Sequence, residues 1–219
     1  MLFDVDGTLL LSHDEVYVEA NRAALLEVYG IAPEGPDRPG DTAPSHARRA
    51  LRLAGLSDAD IDARLARWCE AMSTHYVRLL AERDTNSWRV ADGAAEVLGA
   101  IEHRALLTGN PEGVARARME RIGLDGFFPP GHGAFGCERE DRVELFELAR
   151  DREEGWPPEA TVAVGDTPLD VSSAHAASTR CVAITTGRFS ADELRDADRI
   201  IGDLRDLPAA LTSLAAGDA

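Results

Sequence analysis

Three short stretches of the sequence place acidic or hydroxyl side chains directly after a run of apolar residues. They are residues 4–8, 108–110 and 165–170, and each contains a glycine that lets the chain turn. An apolar run ending in such a turn is typical of a buried strand. Because ligands bind at the carboxyl ends of parallel strands, we expect these side chains to meet in one crevice. There they could perform acid–base, nucleophilic or metal-assisted chemistry.

Four aspartates in these stretches could surround a metal ion: Asp4, Asp6, Asp166 and Asp170. Strand alternation directs Asp4 and Asp6 to the same side. Two carboxylates about 4 Å apart at an effective dielectric near 20 repel each other by about 4 kcal/mol, so the cluster needs a divalent cation. Oxygen ligands without clustered histidine or cysteine favour Mg²⁺. Calcium is the alternative, but Gly7 is the fourth residue of its segment, whereas a helix–loop–helix calcium loop has glycine sixth.

Alternating strands and helices are the elements that must position these side chains. Apolar runs predict strands at residues 2–5, 105–108, 161–164, 181–184 and 199–201. Helices are predicted at residues 92–101, at 142–150 and from 167 onward. Another helix is predicted to begin after Asn110, which would cap it, with Pro111 in the first helical position. Strands this uniformly apolar form a parallel sheet covered on both faces, so the predicted fold class is α/β with a doubly wound parallel sheet.

An all-helical insert separates the first strand from the others. Its clearest signal is one apolar stripe at helical spacing: Ile61, Leu65, Trp68, Met72, Tyr76 and Leu79. We therefore predict an α/β core of residues 1–11 and 87–219 and a helical cap of residues 12–86. Because the insert leaves the chain at the carboxyl edge of the sheet, it would lie over the crevice.

The charge of the chain excludes several classes of function. Its 219 residues include 39 acidic residues against 23 Lys+Arg, for a formal net charge of −16. All of the latter are arginine in the printed sequence, so mechanisms that use a Schiff-base or general-base lysine are excluded. The negative charge argues against nucleic acid or an anionic membrane as a partner.

The three cysteines, Cys69, Cys137 and Cys181, are far apart and odd in number. This pattern predicts buried thiols in a reducing compartment, with neither a disulfide nor a zinc site. No apolar run approaches the roughly 18 residues of a membrane-spanning helix, and no basic segment precedes an apolar one at the start. We therefore expect a cytoplasmic protein.

The three stretches together resemble the signature motifs of the haloacid dehalogenase superfamily. The matching runs are Phe3-Asp4-Val5-Asp6-Gly7-Thr8-Leu9, Leu106-Leu107-Thr108-Gly109-Asn110 and Val164-Gly165-Asp166-Thr167-Pro168-Leu169-Asp170. The chain is most similar to the phosphatase branch with a helical cap after the first motif, typified by phosphoglycolate phosphatases and phosphosugar mutases. The resemblance covers nearly the whole chain and implies a Rossmann-like core.

The resemblance implies a role for each matching residue. Asp4 would be the nucleophile that forms an aspartyl-phosphate, and Asp6 would protonate the leaving group and then activate water. Thr108 would donate a hydrogen bond to the phosphoryl group, beside Gly109 and Asn110 in substrate binding. The expected Mg²⁺ ligands are Asp4, the backbone carbonyl of Asp6, Asp166 and Asp170. An acid at position 6 favours phosphate esters over halides, because a departing halide needs no proton.

The chain departs from the family pattern at its third motif, usually a lysine about 25 residues before the acidic motif. Arg142 lies 24 residues before Asp166 and is our candidate for this cation, with Arg139, at 27 residues, as the alternative. Arginine retains the positive charge and can bind two oxygens, but its longer, planar group is not equivalent to lysine.

Two further residues, Thr42 and His46, follow a Gly/Pro-rich loop in the cap and are candidates for substrate binding. The expected function is Mg²⁺-dependent hydrolysis of a small phosphorylated metabolite by a monomer or homodimer. A phosphosugar mutase with the same aspartyl-phosphate chemistry and a non-catalytic phosphate-binding module are the alternatives. A receiver domain is disfavoured, because receivers use a lysine.

Overall fold

The computed structural model describes residues 1–36 and 38–216, and its centre is a six-stranded sheet in which every pair of neighbours is parallel. The strands are β1 Leu2–Phe3, β2 Ala105–Thr108, β3 Ala134–Phe135, β4 Val162–Gly165, β5 Arg180–Ile184 and β6 Arg199–Ile201. Their order is β3-β2-β1-β4-β5-β6. Because β1 lies in the middle and the order reverses there, a crevice forms beyond its carboxyl end. The predicted doubly wound α/β fold is confirmed.

Apolar side chains cover both faces of this sheet. Along β1, Leu2 contributes to one buried cluster and Phe3 to the other, as the alternation of a strand requires. Helices α4 Ala94–Ala100, α5 Glu112–Arg121 and α8 Leu207–Ala216 pack on the Phe3 face, and α6 Arg142–Arg152 and α7 Pro168–Ala176 on the Leu2 face. This arrangement explains why the strands read as continuous apolar runs.

Two of these elements were not predicted from the sequence, and a third is shorter than its apolar run predicts. Strand β3 has only two residues and follows a glycine-rich turn, so no periodicity marks it. Helix α8 was not predicted, although Leu207, Ala210 and Leu214 follow helical spacing. Strand β1 ends at Phe3 rather than at Val5, because the chain turns toward Gly7.

The described residues of the insert form three helices with an apolar core of their own. They are α1 Glu15–Tyr29, α2 Ala43–Leu53 and α3 Asp58–Ala81, and α3 packs along α1. Five members of the predicted stripe on α3 are buried, while Leu65 is partly buried at its margin. Ser57 caps α3 by accepting a hydrogen bond from the Asp60 amide. The domain boundaries at residues 12 and 86 stay a prediction.

A disulfide joins the insert to the core, which corrects our expectation for two of the cysteines. Cys69 on α3 is bonded to Cys137, two residues after β3, across a Cα–Cα distance of 6.0 Å. The sequence gives no local sign of this pairing because 68 residues separate the two cysteines and only tertiary folding brings them together. Cys181 on β5 is a buried free thiol, as expected.

None of the helices in the described ranges combines the length and apolar character that crossing a membrane requires.

Candidate active site

A cavity of about 420 Å³ lies between the carboxyl edge of the sheet and the helical insert. Polar residues from all three sequence stretches line it, together with one residue of α6: Asp4, Asp6, Thr108, Asn110, Asp166 and Arg142. The insert contributes residues from the start of α1 and from the loop before α2. The fold thus brings these residues together in one crevice, as the sequence predicts.

Asp4 directly follows the central strand and lies at the base of the cavity. Its amide donates a hydrogen bond to the carbonyl of Val164 on β4 at 2.9 Å, which continues the sheet by one residue and fixes the backbone. Asp4, Asp166 and Asp170 are all buried, and one carboxylate oxygen from each lies within 4.8 Å of the others. Three acids at this separation form a compact, oxygen-rich cluster.

Burial raises the pKa values of two acids in this cluster. Desolvation and then the Asp170 carboxylate raise the pKa of Asp4 to about 7, although Arg142 acts in the opposite direction. Desolvation, followed by the charges of Asp4 and Asp170, raises the pKa of Asp166 to about 8. Asp166 Oδ1 is buried and has no hydrogen-bond partner among the described residues. An unpartnered buried oxygen beside mutually repelling carboxylates fits a hard divalent cation.

The start of α7 positions Asp166 and Asp170. Thr167 caps this helix by accepting a hydrogen bond from the Asp170 amide, and Asp170 Oδ2 accepts one from the Thr167 amide at 2.9 Å. Asp170 is therefore held by the helix cap, whereas Asp166 Oδ1 has no hydrogen-bond partner among the described residues. Gly7 lies against Asp166 with a φ of 78°, and a Cβ at this position would overlap the carboxylate. Only glycine fits that turn.

Asp6 differs from the other three aspartates because its carboxylate lies outside the cluster. Its side chain is 48 % exposed. It accepts hydrogen bonds from the amide of Asn110 at 2.6 Å and from Nη1 of Arg118 at 2.8 Å. The prediction that Asn110 caps α5 is wrong: Pro111 occupies that position, and the Asn110 amide instead binds Asp6.

Thr108 and Gly109 form the wall of the cavity next to Asp6. Thr108 ends β2, and its hydroxyl accepts hydrogen bonds from the backbone and side-chain amides of Asn110 at 3.3 and 3.0 Å. The carbonyl of Gly109 accepts a hydrogen bond from Ala43 at 2.8 Å, so the start of α2 is attached to this strand end. A Cβ on Gly109 would overlap the carbonyl oxygen of Asp41.

Arg142 supplies a cation directly at the acidic cluster. Its guanidinium is 5 % exposed, and Nη2 lies 3.2 Å from Asp4 Oδ1 and in a short ion pair with Asp170. Nη1 donates to the carbonyl of Gly40 in the insert at 2.9 Å. The buried acids and the first turn of α6 fix this side chain in place.

Arg139, the alternative to Arg142, does not reach the cavity. Its side chain is half exposed, donates to the carbonyl of Glu138 at 2.8 Å and lies near Glu144. It precedes α6, whereas Arg142 is the first residue of that helix. The structure therefore brings one of the two predicted arginines to the site.

The structure does not bring Thr42 or His46 to the cavity, contrary to our expectation. The Thr42 hydroxyl is buried, caps α2 through the Ser45 amide and donates to the carbonyl of Glu140 at 2.7 Å. His46 lies one turn further along that helix. Residues 39–41 of the preceding loop line the cavity instead, because the chain passes the cavity before α2 begins.

Sequence reasoning missed Arg118, which lies beneath Asp6. It is one of three arginines on α5, and its residue type and position are typical of an exposed helix residue. In the structure it is 2 % exposed and contacts acids from both the core and the insert. No periodicity distinguishes it, because its partners are more than 40 residues away in sequence.

A family model described as haloacid dehalogenase-like hydrolase matches residues 1–178. Among curated proteins, a phosphoglycolate phosphatase of Pseudomonas putida is 29 % identical and is aligned over 94 % of this chain and 77 % of its own length. A phosphoglycolate phosphatase of Rhodospirillum rubrum is 30 % identical, over 85 % of this chain and 79 % of its own length.

Solved structures show the same fold. CbbY from Rhodobacter sphaeroides in complex with phosphate superposes with a TM-score of 0.67 and 24 % identity, over 94 % of both chains. A beta-phosphoglucomutase from Clostridium difficile superposes with a TM-score of 0.64 and 16 % identity, over 94 % of this chain and 91 % of that one. The likeness extends over the core and the insert together.

Proposed function

This chain belongs to the haloacid dehalogenase-like hydrolase family, and on that premise we propose that it is a Mg²⁺-dependent phosphatase that acts through an aspartyl-phosphate on Asp4. The observation that carries the proposal is the division of the four aspartates. Three of them form a buried cluster beside Arg142, and the fourth, Asp6, lies apart and faces the cavity.

Asp4 is suited to act as the nucleophile because Arg142 fixes its carboxylate at the end of the central strand. One of its oxygens attacks the substrate phosphorus, and the bond from phosphorus to the leaving oxygen breaks. Water then attacks the same phosphorus, which releases inorganic phosphate and restores the Asp4 carboxylate. Each cycle consumes one water and yields an alcohol and phosphate.

Asp6 is suited to move the protons of both steps. Outside the cluster and half exposed, it can give its proton to the leaving oxygen and later accept one from the attacking water. The Asn110 amide, which donates to Oδ2 of Asp6, orients it toward the wall formed by Thr108. The Thr108 hydroxyl and the Arg142 guanidinium are the groups that would hold the phosphoryl oxygens.

The acidic cluster fits a magnesium ion by its chemistry. Asp4 and Asp166 would hold the ion through carboxylate oxygens, with the Asp6 backbone carbonyl beside them. Asp170 would support the site, because its oxygens are engaged by Thr167 and Arg142. Bound there, the ion would offset the repulsion between the Asp4 carboxylate and an anionic phosphate.

The substrate class follows from the relatives and from the size of the cavity. Both curated relatives described above are phosphoglycolate phosphatases, which supports 2-phosphoglycolate as the first ester to test. A cavity of about 420 Å³ beneath a helical insert suits a small phosphorylated metabolite that the insert shields from water. Cleavage of carbon–phosphorus bonds through a lysine Schiff base is excluded, since the sequence contains no lysine.

The test measures inorganic phosphate released from a panel of phosphate esters that includes 2-phosphoglycolate. We expect release with Mg²⁺, loss with a chelator, and loss in Asp4→Asn. The matched control is Asp92→Asn, which changes an aspartate whose side chain is 75 % exposed. Metal-dependent transfer of the phosphoryl group between sugars without net phosphate release would identify a mutase instead, and equal activity of Asp4→Asn and wild type would remove Asp4 from the mechanism.

A further inference from the structure

A buried arginine on the core helix α5 connects Asp6 to the insert. Nη1 of Arg118 contacts both carboxylate oxygens of Asp6 at 2.8 Å. Nε and Nη2 of the same guanidinium donate to Asp14 Oδ2 at 3.0 and 2.7 Å. Asp14 belongs to the insert, where it caps α1. One planar side chain therefore holds an acid from each part of the molecule.

The insert supplies further contacts that fix this guanidinium. The Tyr76 hydroxyl on α3 donates to Asp14 Oδ2 at 2.7 Å and lies 3.2 Å from Nε of Arg118. The ring of Tyr17 on α1 lies 5.1 Å from the central guanidinium carbon, within cation–π range. Rotation of Arg118 away from Asp6 would break several of these contacts together.

Charge balance alone does not account for the contact with Asp6. Asp14 is 3 % exposed and already neutralises Arg118 through two guanidinium nitrogens. Asp6, at 48 % exposure, is solvated and needs no buried partner. The third guanidinium nitrogen, Nη1, instead fixes the direction of the Asp6 carboxylate. A planar, forked guanidinium orients a carboxylate better than a point charge does.

We infer that Arg118 is a positioning residue for Asp6 and that Asp14 and Tyr76 of the insert hold Arg118 in the orientation that this requires. The inference rests on the proposed role of Asp6 as the acid that protonates the leaving group. Arg118 retains its own protons throughout; the proton moves from Asp6 to the leaving oxygen. The acid is thus correctly placed only while α1 and α3 are seated on α5.

The test exploits the fact that leaving groups differ in their need for a proton. An alkoxide, as from 2-phosphoglycolate, leaves only when protonated, whereas p-nitrophenolate is a stable anion that leaves without one. The ratio of kcat/KM for the two esters therefore reports how well the acid works. It is insensitive to the later attack by water, since kcat/KM covers steps only through departure of the leaving group.

For Arg118→Met we expect kcat/KM on 2-phosphoglycolate to fall by about 10- to 100-fold, because a misplacement of about 1 Å costs on the order of 100-fold. We expect a fall of less than about 5-fold on p-nitrophenyl phosphate. Arg118→Lys retains a cation beside Asp14 and should show the same difference with smaller magnitude. It also keeps the test decisive should the Met variant not fold. Equal losses on both esters would mean a purely structural arginine and would overturn the inference.

Tyr76→Phe tests the contribution of the insert, because it removes one hydroxyl and keeps the buried ring. We expect the same preferential loss on 2-phosphoglycolate, by about 3-fold or more; an unchanged ratio would overturn that half of the inference. Arg116→Met is the matched control, since Arg116 lies on the same helix but donates to the carbonyls of Phe128 and His132. It should leave the ratio unchanged.

Asp6→Asn separates this inference from the proposed function. If kcat/KM of Asp6→Asn falls equally on both esters, Asp6 is not the acid that protonates the leaving group, and that part of the proposed function fails. If Asp6→Asn shows the selective loss and the Arg118 variants do not, the proposed function stands and only the inference about Arg118 fails.

Discussion

At the scale of single residues, arginine takes every cationic position in this site. Arg142 contacts both Asp4 and Asp170 through one guanidinium nitrogen, Nη2. Arg118 contacts Asp6 through Nη1 and Asp14 through Nε and Nη2. A lysine ammonium offers a single charged atom and no fixed fork. Both arginines bridge two acids, and at Arg118 the planar fork does so with separate nitrogens.

Arg142→Ala should reduce kcat by at least about 100-fold, because it removes the cation beside the nucleophile and leaves buried acids unpaired. Steady-state kinetics on the best ester of the panel measures this. Arg139→Ala, at a half-exposed position on the same segment, should leave kcat unchanged. A near-normal rate in Arg142→Ala would contradict the assignment.

Asp166 should make the stability of the metal-free protein depend on pH. Its pKa is about 8 in the folded protein, against about 3.9 for an unfolded aspartate. Between these values the folded state holds a proton that the unfolded chain has lost, so the free energy of unfolding falls as pH rises from about 4 to about 8. The test compares the free energy of unfolding of wild type with that of Asp166→Asn, both measured with a chelator present. The difference between the two proteins should change by at least about 1 kcal/mol between about pH 4 and about pH 8.

Added Mg²⁺ should stabilise wild type more at pH values near 8 than near 5, because the ion displaces protons from the acids. Chemical unfolding at both pH values provides the measurement. A pH profile shared by wild type and Asp166→Asn would contradict the raised pKa.

The sequence was sufficient to predict that Asp4, Thr108 and Asp166 converge, because strand ends and turn residues are local signals. It did not predict that the Asp6 carboxylate lies outside the acidic cluster. Asp4, Thr108 and Asp166 each follow an apolar run, and the fold brings them to one edge. Arg118 and the cap role of Thr42 were not predictable in this way. Their partners are distant in sequence, and the same residue types are common on exposed helix surfaces.

At the scale of elements, the loop before α2 is the part of the insert that seats on the active-site wall. Gly40 accepts a hydrogen bond from Arg142, and Ala43 donates one to the Gly109 carbonyl. These contacts involve main-chain atoms of the insert, so they depend on backbone position rather than on side-chain type. Periodicity predicted the helices on either side but contains no information on how this loop docks.

Gly109→Ala should lower kcat/KM by about 10-fold or more, because the added methyl group would overlap the Asp41 carbonyl and lift the loop from the wall. Gly99→Ala is the matched control. Gly99 is exposed on α4, and the nearest atom to its added methyl group would be 3.9 Å away. It should leave kcat/KM unchanged and raise the free energy of unfolding by about 0.5–1 kcal/mol. Equal kcat/KM for Gly109→Ala and wild type would contradict the docking argument.

At the scale of the whole molecule, the core and the insert are joined by other attachments besides the docking of the loop before α2. The chain crosses between them twice, the Arg118 network joins them beneath Asp6, and the disulfide joins α3 to the segment after β3. The parallel sheet and its helical cover were predictable from apolar runs. The attachment of the insert was not, because it depends on pairs of residues that only the folded chain brings together.

Reduction of the disulfide should lower the free energy of unfolding by about 2–4 kcal/mol, since the bond restricts a long segment of the unfolded chain. Urea unfolding with and without dithiothreitol measures the change. The double variant Cys69→Ala, Cys137→Ala should show no response to the reductant, and Cys181, a buried free thiol, should contribute none. An identical response of wild type and double variant would contradict the bond.

The disulfide also turns part of the chain into a covalent ring. Residues 69–137 close on themselves through Cys69 and Cys137, and the second crossing between insert and core lies on that ring, whereas the first does not. A single nick between residues 70 and 136 would therefore leave one molecule of full mass on a gel without reductant, and two fragments after reduction. A nick in the loop between α1 and α2 would separate two pieces under either condition. The disulfide therefore keeps the two parts of the chain covalently joined after a cut near the second crossing between insert and core, but not after a cut near the first crossing.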